Sequence, residues 1–358
     1  MLKKAAAALL ICASMAMWVA CGKTSNRFLY AAIPTSNQIL IFREDPNAGV
    51  LTQLAGSPVT AGLGVEALVL HPSKKFMYAA NSGQDNISLF KLSSTGAITE
   101  VTPRTNSGGT APTLIAIDPA GAYLYVGNAG SDSISVFSID SSTGALTPIT
   151  QSSTGSVSVG IGMSPLNMQL APSGKILYAS GQGVTGVVQA FAVNAGVFSN
   201  QPVAGSPYTT GNGPYGLTIG SSGGFLYTAN KIDGSISEFK INSDGSLTAL
   251  AGSPIGQTSA GPTALMIDNS GKYMYVANSQ NLQTYSLGSD GSLTLNTISQ
   301  SSTAAQPNTI VSDPSGKYLF VGSPSAIQSL SLDGSTGGLT SVATYAVSTT
   351  PTSIVITP

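Results

Sequence analysis

Cysteine, histidine and charged side chains are scarce in this sequence of 358 residues, which has two cysteines, one histidine and 8 % charged residues. Cys12 lies in an apolar N-terminal stretch and Cys21 directly follows that stretch, so no disulfide can form in the chain beyond them. The same counts exclude a zinc site built from cysteine and histidine. After Cys21, no apolar run approaches the roughly 20 residues that a membrane-spanning helix needs.

The balance of charge excludes a further class of partners. Without Lys3 and Lys4 of the N-terminal segment, the chain has 14 − 2 = 12 basic and 15 acidic residues, a net charge near −3. These residues form no basic cluster, so nucleic acid is not an expected partner. Glycine and proline together make 41 + 20 = 61 residues, and they separate many short apolar runs, as in an all-β protein.

The N-terminal segment has the pattern of an export signal. Residues 1–4 (MLKK) are basic, residues 5–20 are apolar but too short to favour a spanning helix, and residues 18–22 (WVACG) resemble a bacterial lipobox. The resemblance implies a lipoprotein signal peptide over residues 1–20, lipidation of Cys21 and a short tether over residues 21–26. An ordinary secretory signal peptide is the alternative. We expect an exported protein, anchored by lipid in the cell envelope and facing the periplasm or the surface.

The rest of the chain repeats one unit, which is clearest in residues 112–149. This unit holds four short apolar runs separated by turn residues, the pattern of a four-stranded antiparallel sheet. An aromatic residue recurs in the second run, at Tyr30, Tyr78, Tyr125, Tyr178, Tyr227, Tyr275 and Phe320. A Gly-x-apolar-Thr/Ser turn recurs before the fourth run, with its glycine at Gly49, Gly96, Gly144, Gly196, Gly245, Gly291 and Gly337. Seven copies of a unit of this length predict a seven-bladed β-propeller over residues 27–358.

The two ends of the repeat region complete each other. Residues 27–32 form a second run with no first run before it, and residues 351–358 form a first run with nothing after it. We therefore predict that residues 352–357 form the innermost strand of the first blade. This arrangement closes the ring and removes its open sheet edges.

Four of the units, at residues 75–92, 122–140, 224–241 and 272–287, resemble the YVTN-type repeat. With the AGSP turns at 55–58, 204–207 and 251–254, the longer pattern is similar to the lactonase family of seven-bladed propellers, which includes 6-phosphogluconolactonases. The resemblance covers residues 27–358 and rests on residues that build blades. It implies lactone hydrolysis as a possible activity, but no catalytic residue can be transferred by motif.

Candidate site residues are sought on the face called the top, where the loops between second and third strands and those leading into each first strand meet. A lactonase needs one group to polarise the carbonyl and another to activate water. Glu66, at the start of a first strand, and Arg104, in the loop before Pro112, are the candidate catalytic residues. Candidate ligand-binding residues on the same face are Lys231, Asp85, Asp132 and Asp233.

The three aspartates occupy equivalent loops and could hold a hard cation such as Ca²⁺. Since their spacing around the ring separates them, they are expected instead to solvate turns, and neither a metal nor another cofactor is expected. The single histidine, His71, occupies the turn position of Asp118 and Asp313, so we assign it a structural role. Asparagines that end second strands (Asn81, Asn128, Asn230 and Asn278) are expected to bond the backbone of the following turn.

Three functions remain open from the sequence. The first is a non-enzymatic binding module that takes a glycan, peptide or partner protein on its top face. The second is a hydrolase acting on a sugar lactone or related lactone, and the third is a structural surface component. A monomer is expected in each case. A deep cavity where Glu66, Arg104 and Lys231 converge would favour the enzyme, whereas a flat polar surface would favour the binding module.

Overall fold

The computed structural model describes residues 26–151, 155–182, 185–199, 202–256, 261–297 and 306–358. The predicted signal peptide and the tether up to residue 25, including Cys21, lie outside the described residues. Seven antiparallel sheets form the blades of the predicted seven-bladed propeller, and one turn of 3-10 helix occupies Pro34–Ser36. None of the described residues forms a helix with the length and hydropathy needed to cross a bilayer.

Each blade has four main strands, which follow one another from the axis outwards. Blade 1 has Ser353–Ile356, Arg27–Ile33, Gln38–Asp45 and Val50–Gln53. Blade 2 has Val65–Leu70, Phe76–Asn81, Asn86–Leu92 and Ile98–Asn106. Blade 3 has Pro112–Ile117, Tyr123–Asn128, Ser133–Ile139 and Leu146–Pro148. Blade 4 has Ser164–Leu170, Ile176–Gln182, Gly186–Asn194 and Val197–Phe198.

Blades 5 to 7 continue the pattern. Blade 5 has Pro214–Ile219, Phe225–Asn230, Ser235–Ile241 and Leu247–Ala249. Blade 6 has Pro262–Ile267, Tyr273–Asn278, Leu282–Leu287 and Leu293–Leu295. Blade 7 has Thr309–Ser312, Tyr318–Ser323, Ala326–Leu332 and Leu339–Ala346. Short segments beside the third strands of blades 1, 3, 4 and 5 are Val59–Thr60, Ser158–Gly160, Tyr208–Thr209 and Ile255–Gly256.

The ring closes as predicted. Ser353–Ile356 pairs antiparallel with Arg27–Ile33, with Leu29 opposite Ile356 and Ala32 opposite Ser353. The Thr357 hydroxyl accepts a bond from the backbone N–H of Phe28 at 2.8 Å. The innermost strand of blade 1 therefore comes from a segment more than 300 residues away in the chain, and it covers an edge that would otherwise be unpaired.

The two sequence markers of the repeat bond to each other across the blades. The buried Tyr78 hydroxyl of blade 2 donates to the carbonyl of Gly144, in the outer turn of blade 3, at 2.7 Å. The same bond joins Tyr30 to Gly96, Tyr178 to Gly245, Tyr227 to Gly291 and Tyr275 to Gly337. At the other two interfaces the donors are Gln151, which bonds to Gly196, and Ser329, which bonds to Gly49. All seven turn glycines thus accept a bond from a side chain.

These turns also require glycine for its shape. Gly96 has φ +83°, a left-handed conformation that residues with a Cβ rarely adopt. A Cβ at this position would overlap the ring of Phe28 in the preceding blade. Aromatic packing and the tyrosine–glycine bond therefore fix the spacing of neighbouring blades at the same place.

The turns between first and second strands, on the bottom face, are held by buried side chains. The Asp313 carboxylate accepts bonds from the backbone N–H groups of Lys317 and Tyr318 at 2.7 and 2.8 Å. His71 takes the same position in blade 2, where its Nδ1 accepts from the Ser73 N–H at 3.0 Å and its Nε2 donates to the Gly121 carbonyl at 2.8 Å. The predicted turn position of His71 is therefore confirmed.

A buried charged cluster joins blades 1 and 7 on the bottom face. Arg27 lies 2.6 Å from the Asp313 carboxylate and 3.8 Å from the Glu44 carboxylate. Burial and the neighbouring Asp313 carboxylate raise the pKa of Glu44 to about 7, although Arg27 acts in the opposite direction. Two carboxylates thus share one guanidinium at the seam where the ring closes.

The asparagines that end the second strands behave differently from the expectation. Only Asn278 bonds its own turn, by accepting from the backbone N–H groups of Gln280 and Asn281 at 2.9 Å each. The amides of Asn81, Asn128 and Asn230 instead donate to serines of the third strand. Because each of these third strands has a serine two residues beyond the one paired with the asparagine, the side-chain bond replaces the predicted backbone bond.

Candidate functional site

The innermost strands carry an irregularity at their top ends. In blades 2 to 6, one residue of the first strand is left unpaired where the register to the second strand shifts. Such a β-bulge turns its extra side chain out of the regular alternation. The extra residues are Glu66, Thr113, Leu166, Tyr215 and Thr263, and Asn308 and Thr352 follow prolines at the equivalent positions of blades 7 and 1.

All seven of these residues line a single cavity of about 630 Å³ on the axis at the top face. This volume is typical of sites for small molecules. Further lining comes from backbone and small side chains of the same strand ends, including Ser164, Asn167 and Gly216. The bulges therefore convert one repeated position into seven different groups that face a common space.

Glu66 is the one carboxylate among the described residues that line the cavity. Its side chain is half-buried, and burial raises its pKa above the usual value of 4.5, although the neighbouring Thr352 acts in the opposite direction. The Thr352 hydroxyl donates to the Glu66 carbonyl at 2.7 Å and so fixes the backbone of the bulge. No ion pair within the described residues involves Glu66, so its carboxylate is available to a ligand or to water.

Lys231 is the one cation among the described residues of the cavity wall. Its ammonium group lies 4.5 Å from the ring centroid of Tyr215, whose side chain is 40 % exposed. This cation–π contact holds the ammonium group at the mouth of the cavity. Lys231 belongs to blade 5 and Glu66 to blade 2, three blades apart in a ring of seven, so the two charges stand on opposite sides.

Polar groups complete the wall between these charges. The Asn167 amide donates to the Tyr215 carbonyl at 3.2 Å, and the Thr263 hydroxyl donates to the Pro307 carbonyl at 3.2 Å. The side-chain oxygen of Asn308 is buried without a hydrogen-bond partner within the described part of the chain. Asn308 also lines the cavity, so its amide group is in position to hydrogen-bond a ligand.

The structure brings only two of the six candidate residues together. Glu66 and Lys231 share the cavity, whereas Arg104 lies on the outer edge of blade 2. Its guanidinium makes two bonds to the Glu100 carboxylate, at 2.6 and 3.0 Å, and one to Gln84 at 3.1 Å. The expected position of Arg104 at the channel mouth is therefore wrong. The outer strand Ile98–Asn106 is longer than its counterparts and takes up residues that the repeat had assigned to a loop.

Asp85, Asp132 and Asp233 belong to turns outside the cavity wall. Asp85 accepts from the Ala111 N–H and Asp233 accepts from the Asn212 N–H, both at 2.7 Å. Asp132 is exposed and has φ +48°, a left-handed turn conformation. Among the described residues, no three histidine, cysteine or acidic side chains come together as metal ligands. Calcium bound by these three aspartates thus has no geometric support.

The sequence interpretation missed Thr113, Tyr215, Thr263 and Asn308. A signal for them exists, because each directly follows the proline that opens a first run. That proline ends the regular ladder, since it has no N–H to donate. The position after it is therefore where a bulge can form, and where side-chain identity is free to change between blades.

A second cavity of about 330 Å³ opens at the bottom end of the first strands of blades 2 to 4. Its wall is mainly apolar and includes Val69, Ile115, Ile117, Met168 and Leu170. The carboxylate of Asp118 also borders it, but that group accepts the N–H of Tyr123 at 2.6 Å. This cavity offers no pair of groups suited to acid–base chemistry.

Comparisons with known proteins agree with this architecture. A family model described as lactonase, seven-bladed β-propeller, matches residues 24–161, 154–263 and 250–356. A structure from Bacteroides fragilis, named as a candidate 6-phosphogluconolactonase, has TM-score 0.80 and 22 % identity, and covers 94 % of this chain and 99 % of its own.

The periplasmic gluconolactonase PpgL of Pseudomonas aeruginosa is a second similar structure. It has TM-score 0.78 and 18 % identity, and covers 93 % of this chain and 99 % of its own. No curated protein sequence matches the chain significantly. At these identities, the structural likeness shows a common fold.

Proposed function

The chain belongs to the lactonase family of seven-bladed β-propellers, and from that premise we propose that its top-face cavity binds and hydrolyses a small sugar lactone. The single observation that carries this proposal is Glu66. Its carboxylate faces the cavity, has a raised pKa and has no ion-pair partner within the described residues. A general base for water needs these properties.

The chemistry follows from that position. The ionised Glu66 takes a proton from a water molecule, and the water oxygen bonds to the carbonyl carbon of the lactone. The ring C–O bond then breaks, and the proton passes from Glu66 to the leaving alkoxide. The product is a hydroxy acid, which ionises and releases one proton to the solution.

The wall residues indicate which lactone fits. Lys231 can hold one negative charge, such as the product carboxylate, while Asn308 and the threonine hydroxyls suit the hydroxyl groups of a sugar. A phosphate dianion is usually held by several cations or by arginine forks, and the described part of the wall has one lysine. We therefore propose an unphosphorylated sugar lactone as the substrate.

The test is acid release by the purified protein, followed at constant pH on matched phosphorylated and unphosphorylated sugar lactones. Glu66→Gln should lower turnover by about 10²–10⁴-fold, the range usual for a lost general base. Turnover of the wild type should rise with pH through an apparent pKa above 4.5, because the base acts in its ionised form. Asp132→Asn, on the same face but outside the cavity, is the matched control. Wild-type turnover by Glu66→Gln would exclude this mechanism.

A non-catalytic binding module is the second candidate. The observation that favours it is the wall itself, in which hydroxyl and amide groups accompany a single carboxylate and a single cation. Calorimetry with lactams of the same sugars, which resist hydrolysis, distinguishes the two functions. Binding of a lactam without turnover of the corresponding lactone would favour the binding module.

We further propose that the protein is exported and anchored through Cys21, with residues 1–20 removed. The lipobox-like sequence before Cys21 supports this proposal, and every described strand follows residue 26. Replacing Cys21 by serine should move the protein from the membrane fraction to the soluble fraction. A wild-type protein that is already soluble would contradict the anchor.

A further inference from the structure

The bottom face is where the chain enters the propeller. Arg27 opens the second strand of blade 1, and Phe28 pairs with Arg43 next to the bottom turn of that blade. Cys21 precedes Asn26 by five residues, so a fully extended link reaches at most about 18 Å. Anything that holds Cys21 therefore holds the bottom face close to it.

The exposed cations are sorted between the two faces. Among the described residues, one exposed cation, Lys231, lies on the top face. Eight lie at the bottom ends of strands or in bottom turns, namely Arg43, Lys74, Lys75, Lys91, Lys175, Lys240, Lys272 and Lys317. Five of them, Lys74, Lys75, Lys175, Lys272 and Lys317, belong to turns between first and second strands, which lie nearest the axis.

Negative charge is distributed differently. The top face carries Glu66, Asp85, Asp132 and Asp233 against Lys231, since Arg104 is paired with Glu100. On the bottom face, the exposed carboxylates are in outer turns, at Asp45, Asp140, Asp244, Asp290 and Asp333. Asp268 and Asp313 are buried beneath the lysine turns, where they neutralise part of the positive charge of the bottom face. An anionic surface would thus repel the top face and accept the bottom face, where lysines can extend towards it.

The centre of the lysine turns is apolar. The bottom cavity opens among Val69, Leu70, Ile115 and Ile117, and Pro72 and Pro119 form its rim. Basic side chains around an apolar mouth match the interface between lipid headgroups and acyl chains.

From these observations we infer that the bottom face rests on the surface of a lipid bilayer, so that the top-face cavity opens away from it. The inference rests on the proposed anchor in one respect: a lipid on Cys21 would hold the bottom face, and not the top face, near the bilayer. It does not depend on the proposed hydrolysis. The lipid surface supplies anionic headgroups to the lysine turns, and the short link limits rotation of the propeller.

The experiment uses the chain from residue 21 to residue 358, which contains every described strand and a single cysteine. Coupling Cys21 to a maleimide lipid in vesicles of three parts phosphatidylcholine and one part phosphatidylglycerol provides the tether whether or not cells lipidate this residue. Lysines are then acylated by a water-soluble amine reagent and quantified by mass spectrometry. The uncoupled protein gives the reference rates, and Lys231 is the internal control.

We expect acylation of Lys74, Lys175, Lys272 and Lys317 to fall by about fivefold on coupling, while that of Lys231 is unchanged. A fivefold change corresponds to about 1 kcal/mol of preference for the docked orientation. The inference would be overturned if coupling lowered acylation equally on the two faces, or if it protected Lys231 selectively. The variant Lys74→Glu/Lys272→Glu/Lys317→Glu should lose the protection of Lys175, and full protection in that variant would contradict the role assigned to charge.

Discussion

The two ends of the propeller use the repeat in opposite ways. At the bottom, Asp118, Asp268, Asp313 and His71 occupy one position and perform one task, the bonding of a turn. At the top, the residue on each bulge differs from most of its counterparts, from Glu66 to Tyr215 and Asn308. Positions where the same residue type recurs in several blades therefore build the fold. Positions that differ between blades and line the common cavity are the candidates for binding a ligand.

Removal of residues 351–358 should have the largest effect, because it affects both ends at once. The innermost strand of blade 1 and Thr352, which bonds Glu66, would be lost together. We expect the ring to open and the protein to unfold or to oligomerise through the exposed edge. Size-exclusion chromatography with thermal melting checks this, and a monomer with unchanged melting would refute closure by this strand.

Replacing Asp313 by alanine tests the bottom end alone. The change removes the partner of Arg27 at 2.6 Å together with the bonds to Lys317 and Tyr318. Unfolding in denaturant should show a loss of about 3 kcal/mol, as for a broken buried ion pair. Asp268→Ala, in the same turn position of blade 6, is the control and should lose less, since no ion pair within the described residues involves Asp268.

The complementary change at the top is Asn308→Ala. It should weaken binding of a sugar lactam but leave the denaturant midpoint nearly unchanged, because the Asn308 oxygen has no partner within the described residues. Two results would contradict the assignment of stability to the bottom end and binding to the top end. One is weaker lactam binding by Asp313→Ala with unchanged stability, and the other is unfolding of Asn308→Ala.

Glu44→Gln should make stability less dependent on pH. Since the folded-state pKa of Glu44 is raised from 4.5 to about 7, the folded protein holds a proton that the unfolded chain has lost in this range. Wild-type stability should therefore fall as pH rises from 4.5 to about 7. The glutamine variant should be more stable than the wild type by about 3 kcal/mol at pH 8, and nearly equal to it at pH 4. Melting curves across this range provide the measurement, and a parallel decline in both proteins would contradict the assignment.

Tyr78→Phe should have the smallest effect of the series, a loss of about 1 kcal/mol, because one buried hydrogen bond to Gly144 disappears while the packing remains. Ser329→Ala removes the corresponding bond to Gly49 in blade 7 and should lose a similar amount. Denaturant unfolding of the two variants side by side checks whether the tyrosine and its replacement are equivalent.

The sequence predicted the fold well because the fold depends on repeated pairs. The spacing of the tyrosines and glycines was sufficient to count blades, and the structure shows why: the two markers bond to each other across five of the seven interfaces. The closing strand was also predictable, since an incomplete first blade needs a strand from elsewhere.

The candidate site was predicted only in part. Glu66 was found because it is a charged residue at the entry to a first strand, which lies nearest the axis, whereas Thr113 and Asn308 resemble ordinary loop residues in the sequence. Arg104 was misplaced because the repeat predicts a turn where blade 2 instead continues its outer strand to Asn106. Which residues face a cavity depends on where ladders end, and that depends on pairing between segments far apart.

The strand that closes the ring also sets the order in which the protein can mature. Leu29 pairs with Ile356, so blade 1 stays incomplete until the other six blades have been synthesised. Contacts between such distant segments form slowly, because a long loop must close before they are made. The ring of an emerging chain therefore stays open until residue 356 has been made. If the protein is exported as proposed, this delay would keep the chain unfolded enough to pass a narrow channel, since residues 353–356 follow all the other blades in chain order.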